Sequence, residues 1–233
     1  MTTTTDRIIS IMVAMLFACS LTAAGYDRSG FCPITPGMEL RYANYDADNM
    51  IQSYYVIKVA EAEGTLEKGR VVFDQTFFNA DGSAMFDGNG IEMEVTVGGE
   101  TTVSRMHDAA KVMRVQDLIS KGDASSIPPE LSVGTDIPDG IIEVKVGRMG
   151  STIRTIDRKI TDHDSISVPA GTFDCWLIEE KQETRIIGTR TNTVKTWYAK
   201  GIGCVKQTVY DKKGNIENIQ VLESVTFPTT GRE

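Results

Sequence analysis

Histidine is almost absent from this chain: His107 and His163 are its two copies. Imidazole is the usual proton shuttle near neutral pH and the commonest metal ligand, so acid–base machinery or a histidine-bound metal centre has little to be built from. His163 lies in Asp162-His163-Asp164, a pattern that suits a base oriented by a carboxylate. The plainer reading, charged residues at a strand end or turn before Ser165-Ile-Ser-Val-Pro169, is preferred, and His107 beside Asp108 reads as a capping or solvated residue. Positive charge is also short. The 24 Lys and Arg face 32 Asp and Glu, a net charge of −8. Such a chain repels phosphate backbones and anionic lipid, which excludes nucleic acid as the expected partner and leaves solubility as the main meaning of the charge.

The common motifs of catalysis are missing too. No Gly-x-Ser-x-Gly, His-Glu-x-x-His or phosphate-binding loop occurs. Gly201-Ile-Gly203 stands between two expected strands, a context that excludes a dinucleotide loop. The stretch Asp81 to Glu92 has acids at positions 1, 7 and 12 of a calcium-type loop, but Phe86 occupies position 6, where a glycine makes the turn. Ser83 and Met85 stand at positions 3 and 5, so turn residues are the expectation there. No enzyme activity, cofactor or metal is expected.

Long apolar runs are confined to the N-terminus. Arg7 provides a positive start, Ile8 to Phe17 an apolar stretch, and Thr22, Ala23, Ala24 and Gly25 the small residues of a cleavage site. This is the layout of a secretory signal peptide over 1–25, and the run is too short to span a bilayer. Thr22/Ala24 and Ala23/Gly25 both suit signal peptidase, placing the mature start near Gly25 or Tyr26. The competing reading is a lipobox, Leu16-Phe17-Ala18-Cys19, with Cys19 lipidated; Phe17 is bulky for that motif. A retained N-terminal anchor is the third. Only a lipid on Cys19, or that anchor, would tie the protein to a membrane. The chain is expected in the periplasm, or at the outer membrane or surface, of a Gram-negative bacterium.

Past the leader three cysteines remain, Cys32, Cys175 and Cys204. An oxidising compartment allows one disulfide among them, with three pairings open. Their spacing fits no zinc or redox motif, and Cys175, inside Phe173-Asp-Cys-Trp-Leu177, equally suits a buried free thiol.

What the chain has in quantity is period-two alternation, the mark of strands with one buried and one wet face. Ile91-Glu-Met-Glu-Val-Thr-Val97 is the cleanest case; Tyr55/Ile57/Val59, Ile142/Val144/Val146 and Ile219/Val221 follow it. Ile156/Arg158/Ile160 and Val205/Gln207/Val209 carry a polar member each, which blurs the core face. Turn signals separate the runs at Asp46–Asn49, Asn79–Gly82 and Asp211–Asn215, and Ala199–Gly203 turns one strand onto the next. Short reversals pair successive strands antiparallel, so a meander of about ten strands is expected. One helix is expected from Asp108 to Lys121, where Val112, Val115, Leu118 and Ile119 fall at helical spacing before Gly122 and the prolines of Ile127–Glu130. Nothing divides the rest, so 26–233 reads as a single domain: all-β, one large curved antiparallel sheet or half-open barrel with one short helix.

Tyr55, Trp176, Trp197 and Tyr198 are the candidate ligand contacts, because aromatics on adjacent strands can line a groove; cross-strand packing is the competing explanation. Several segments also resemble a known family: Pro33 to Tyr45, Leu131 to Asp139, Val168-Pro-Ala-Gly-Thr-Phe-Asp-Cys-Trp176, and Thr196-Trp-Tyr-Ala-Lys-Gly-Ile-Gly-Cys-Val-Lys-Gln207. Together they resemble the TapB-like group of exported bacterial proteins, related to a broader family of unknown function. The resemblance implies a long curved sheet similar to periplasmic lipoprotein carriers, and transfers no catalytic residues; Cys204 departs from its pattern. The leading expectation is a non-enzymatic envelope protein holding an apolar or amphipathic ligand, or a protein partner, in its concavity. The alternatives are a structural component of an envelope or secretion assembly, and a hydrolase using carboxylates from Asp157, Asp162 and Asp164.

Overall fold

The alternating segments become strands of one sheet in the computed structural model, which describes residues 31, 33–64, 68–98, 101–107, 118–123, 127, 130–146, 149–185 and 188–228. The expected leader over 1–25, Cys19 and Cys32 lie outside them. The strands are β1 (Glu39–Tyr45), β2 (Ile51–Gly64), β3 (Lys68–Asn79), β4 (Ile91–Gly98), β5 (Thr101–His107), β6 (Leu118–Asp123) and β7 (Asp136–Ile137). They continue with β8 (Gly140–Val146), β9 (Met149–Val168), β10 (Gly171–Arg185), β11 (Thr189–Ala199), β12 (Gly203–Tyr210) and β13 (Ile216–Thr226).

All thirteen belong to one sheet in the order β5-β4-β3-β2-β1-β13-β12-β11-β10-β9-β8-β6, with β7 paired to β9. Every ladder is antiparallel, as expected for strands joined by short reversals. The sheet is two meanders joined where the first strand meets the last, with Leu40 opposite Val225 and Tyr45 opposite Ile219. The end strands β5 and β6 come back near each other, but no ladder closes the sheet among the described residues.

The turns form as their residues dictate. The Asp46 carboxylate accepts from the amides of Asp48 (3.0 Å) and Met50 (2.9 Å), and Asp211 does the same for Lys213 (2.7 Å) and Asn215 (2.8 Å). Asp81 accepts from the Ser83 amide at 2.9 Å, so the acidic loop after β3 is another such turn. These local bonds replace ladder bonds at the reversal, which is why Asp recurs there. Bonds to Ser83 and Asn215 hold the Asp81 and Asp211 carboxyls below their ordinary range.

The expected helix is corrected. Leu118 to Lys121 belong to strand β6, and Asp108 to Asp117 lie outside the described residues. Among the described residues the helical element is a 3-10 turn, Phe86–Gly88. Leu118-Ile119 suit a strand as well as a helix, and pairing with Val146 and Lys145 of β8 decides for the strand.

The inner face of the sheet is buried from β4, through β1 and β13, to β9. Its β1–β4 half is mainly apolar, with Leu40, Tyr55, Ile57, Val59, Phe73 and Met93 in one cluster joined by Leu222 of β13, and with Gln75 and Asn44 as buried polar members of the same strands. A second cluster under β9–β12 contains Phe31, Ile137, Ile160, Ile178 and Tyr198. Each such side chain withdrawn from water contributes on the order of 2 kcal/mol. In β13 the sequence phase is reversed: Gln220 and Leu222 are buried, while Ile219 and Val221 are half-exposed.

Candidate functional site

The distinctive site is a polar lane on the inner face of β9–β13. Thr155, Gln182 and Asn192 lie along one cross-strand line, since Gln182 pairs with both Thr155 and Asn192. Ile178, Thr196, Gln207 and Gln220 form another, partner to partner across four strands. Residues directly opposite on an antiparallel pair present side chains on the same face, so these rows share one surface. Thr155, Gln182, Thr196, Gln207 and Gln220 are all buried. Gln207 Nε2 donates to Thr196 Oγ1 at 3.0 Å, and Gln220 Nε2 to Cys204 Sγ at 3.5 Å.

Between the two rows lies an ion pair. Arg158 Nε donates to Glu180 Oε2 at 2.9 Å, with the side chains 3% and 8% exposed. Arg158 Nη1 also donates to the Pro138 carbonyl at 2.9 Å. Burial pushes the Glu180 carboxyl up, against the opposing pull of the guanidinium. A bulge puts Arg158 inside. Glu179 pairs with Lys159 but Lys181 with Ile156, so β9 spends one extra residue there, and Asp157 takes φ 53°. The extra residue shifts the alternation: Ile153 and Thr155 face in before it, Arg158 and Ile160 after it.

The four aromatic candidates do not meet in one place. Tyr55 is buried in the apolar half, stacked on Tyr42 at 4.8 Å between ring centroids. Trp176 and Tyr198 are partners on β10 and β11. Trp176 is already engaged: the His163 imidazole stacks on it at 3.9 Å, Phe31 meets it edge-on at 5.5 Å, and Lys200 Nζ lies 5.6 Å from its centroid. Trp197 pairs with Leu177 and Lys206, and Lys206 Nζ lies 5.2 Å from its ring. Trp176 and Tyr198 therefore share one cluster, while Tyr55 and Trp197 stand in others.

His163 is not at a strand end or turn, as its charged neighbours led us to expect. It stands within β9 opposite Trp176, with Nε2 2.9 Å from Asp174 Oδ1. Asp157, Asp162 and Asp164 are exposed positions of that same strand, and Asp157 pairs with Lys181 at 2.7 Å. Cys175 and Cys204 are buried free thiols, so the disulfide weighed above does not join these two. Burial pushes both thiols up to about 12.

Sequence reasoning missed the lane because polar residues on a strand read as its wet face. The available signal was Arg158 and Gln207 interrupting otherwise apolar alternation; both are buried.

A single large antiparallel sheet, with a mainly apolar inner face on β1–β4 and a mixed apolar and polar one on β9–β13, places the chain among the mainly-β proteins. Within that class the sequence matches the DUF3108-like family over residues 35–222, and the chain belongs to it. This is a wider family than the TapB-like group that the motifs resemble. No curated protein sequence matches the chain. Among solved structures, a protein from Bacteroides fragilis NCTC 9343, assigned as exported and with a YmcC-like fold, is similar with TM-score 0.67 and 23% identity over 84% of this chain and 99% of that one. A protein from Parabacteroides distasonis ATCC 8503, assigned as a lipoprotein, is similar with TM-score 0.63 and 21% identity over 84% of this chain and 98% of that one. These likenesses establish the fold.

Proposed function

We propose that this is an exported, non-enzymatic envelope protein of the TapB-like branch that holds an amphipathic ligand against the inner face of its sheet. The observation that supports this is the division of that face. Tyr55, Ile57 and Phe73 offer hydrocarbon on one side, while Gln207, Gln220 and the Arg158–Glu180 pair offer hydrogen bonds on the other. A molecule with an apolar chain and a polar head matches both halves. The leader over 1–25 supports export, and the two similar structures are of proteins assigned as exported or as a lipoprotein.

Native mass spectrometry of the protein purified from its own envelope fraction tests the reading. The expected result is a polypeptide lacking its leader and carrying a lipid-sized adduct that is lost on denaturation. A bare polypeptide that also takes up no acyl compound from lipid vesicles would overturn it. The same spectrum distinguishes cleavage near Gly25 from acylation of Cys19.

A further inference from the structure

Strand β9 runs for 20 residues, and its last part has a neighbour on one side alone. On the side away from β10 it pairs with β8 up to Thr155, and then with β7 at Arg158 and Lys159. Ile160 makes the last bonds on that side: its amide donates to the Thr135 carbonyl at 2.9 Å, and its carbonyl accepts from the Gly134 amide at 2.7 Å. From Thr161 to Val168, β10 is the one strand that pairs with β9 among the described residues. Asp162, His163, Asp164, Ser165 and Ser167 are exposed, so this stretch of sheet edge faces solvent.

An open edge is a template for another strand, because its outward amides and carbonyls can continue the ladder. Successive residues of an antiparallel strand turn their amides alternately toward the partner and away. A bulge at Thr161, where Leu177 pairs with Asp162 and Ile178 with Ile160, sets the phase here. The amides of His163 and Ser165 point outward, and both are taken. His163 N donates to Asp162 Oδ1 at 2.8 Å, and Ser165 N donates to Asp164 Oδ1 at 2.7 Å. Ser167 is the next outward position by the same alternation, and the residue before it, Ile166, has no acceptor to offer. The two acids also carry charge. A second copy adding antiparallel along this edge would bring four carboxylates onto one short ladder, two from each chain, and like charges on facing strands are destabilising. Apart from them the stretch suits pairing, since Thr161, Ile166 and Val168 are strand formers.

We propose that Thr161–Val168 is a self-pairing edge held shut by Asp162 and Asp164, whose carboxylates occupy the outward amides and repel the same edge of a second copy. The two acids keep β9 from joining β9 of another molecule in one continuous sheet. This role is independent of any ligand on the inner face.

Sedimentation velocity tests this by comparing the wild type with the double variant Asp162→Thr with Asp164→Thr over a range of protein concentrations. The double variant is expected to associate more than the wild type, its weight-average mass rising by up to about twofold as edge-to-edge dimers form. Adding Ser165→Pro removes an outward donor and spares the ladder with β10, because proline is tolerated where an edge amide faces solvent. That triple variant is expected to sediment as the wild type does. Equal association of the double variant and the wild type overturns the proposal, and so does extra association that Ser165→Pro leaves unchanged. If either variant loses its sheet by circular dichroism, amide exchange of the wild type decides. Greater protection of His163 and Ser165 than of Ser167, after correction for intrinsic rates, supports the guarded edge, and equal protection overturns it.

Discussion

Arg158 and Glu180, on neighbouring strands, meet at 2.9 Å inside the curve of the sheet, and the same guanidinium holds the Pro138 carbonyl where β7 gives way to β8. One side chain thus ties β9, β10 and the β7–β8 break together. A buried pair of this kind gives little net stability over an apolar replacement, but removing one partner strands the other charge. Glu180→Ala or Arg158→Ala is therefore expected to lower unfolding free energy by about 3–5 kcal/mol, and Arg158→Met with Glu180→Leu to recover most of it. Urea denaturation of the three variants measures this; additive losses in the double variant would contradict it.

The same carboxyl sets a pH dependence. Burial raises Glu180 above its ordinary 4.5, so the folded protein keeps this proton to a higher pH than the unfolded chain. The stability that the proton contributes is fully present below 4.5 and is lost as pH rises through the folded value. Glu180→Gln cannot titrate, so its stability should fall less over that rise than the wild type's, as read from urea midpoints on the acid side of neutrality.

Cys175 and Cys204 are expected to be inert in the folded state. Thiolate is the reactive form, and burial pushes both thiols from 9.0 up to about 12. At pH 8, iodoacetamide should leave both unmodified in the native protein and label both in urea, as read by peptide mass mapping. Their stabilising contribution is intact below 9 and lost as pH rises from about 9 to about 12. Alkaline unfolding in that window is the second readout.

Asp157 holds the bulge that turns Arg158 inward, at a φ of 53° that suits Gly, Asn or Asp far better than a branched residue. Asp157→Gly is expected to change stability by less than about 1 kcal/mol, because its ion pair with Lys181 is exposed. Asp157→Val should cost about 1–3 kcal/mol. Equal stability of the two variants would remove the backbone explanation.

Gly203 carries a φ of 89°, and a methyl group there would lie 3.2 Å from the Phe31 carbonyl oxygen and 3.4 Å from Pro33 Cδ. Gly203→Ala should therefore destabilise by more than about 1 kcal/mol and loosen Phe31 and Pro33 from the start of β12. Faster amide exchange at Phe31, measured by NMR, is the local signature.

Much of the architecture is local in origin, and so legible. Tyr55, Ile57 and Val59 alternate because a pleated strand has two faces, and the Asp46 and Asp211 turns form from bonds within a few residues. The candidate site was far less legible. Gln220, rather than Ile219 or Val221, faces inward, and Arg158 does so through one inserted residue. The four aromatics looked like one group because they shared a chemistry, yet three-dimensional pairing keeps only Trp176 and Tyr198 together and sends Tyr55 and Trp197 elsewhere.

By itself, then, the sequence determined strands, their turns and antiparallel pairing of neighbours, since each depends on interactions a few residues apart. Only the tertiary structure decided that β1 joins β13, that residues 118–121 are strand, and that polar side chains line half of the interior. Those outcomes depend on contacts between residues far apart in the chain and on single-residue bulges. A bulge changes which face every later side chain meets, and no local pattern records it.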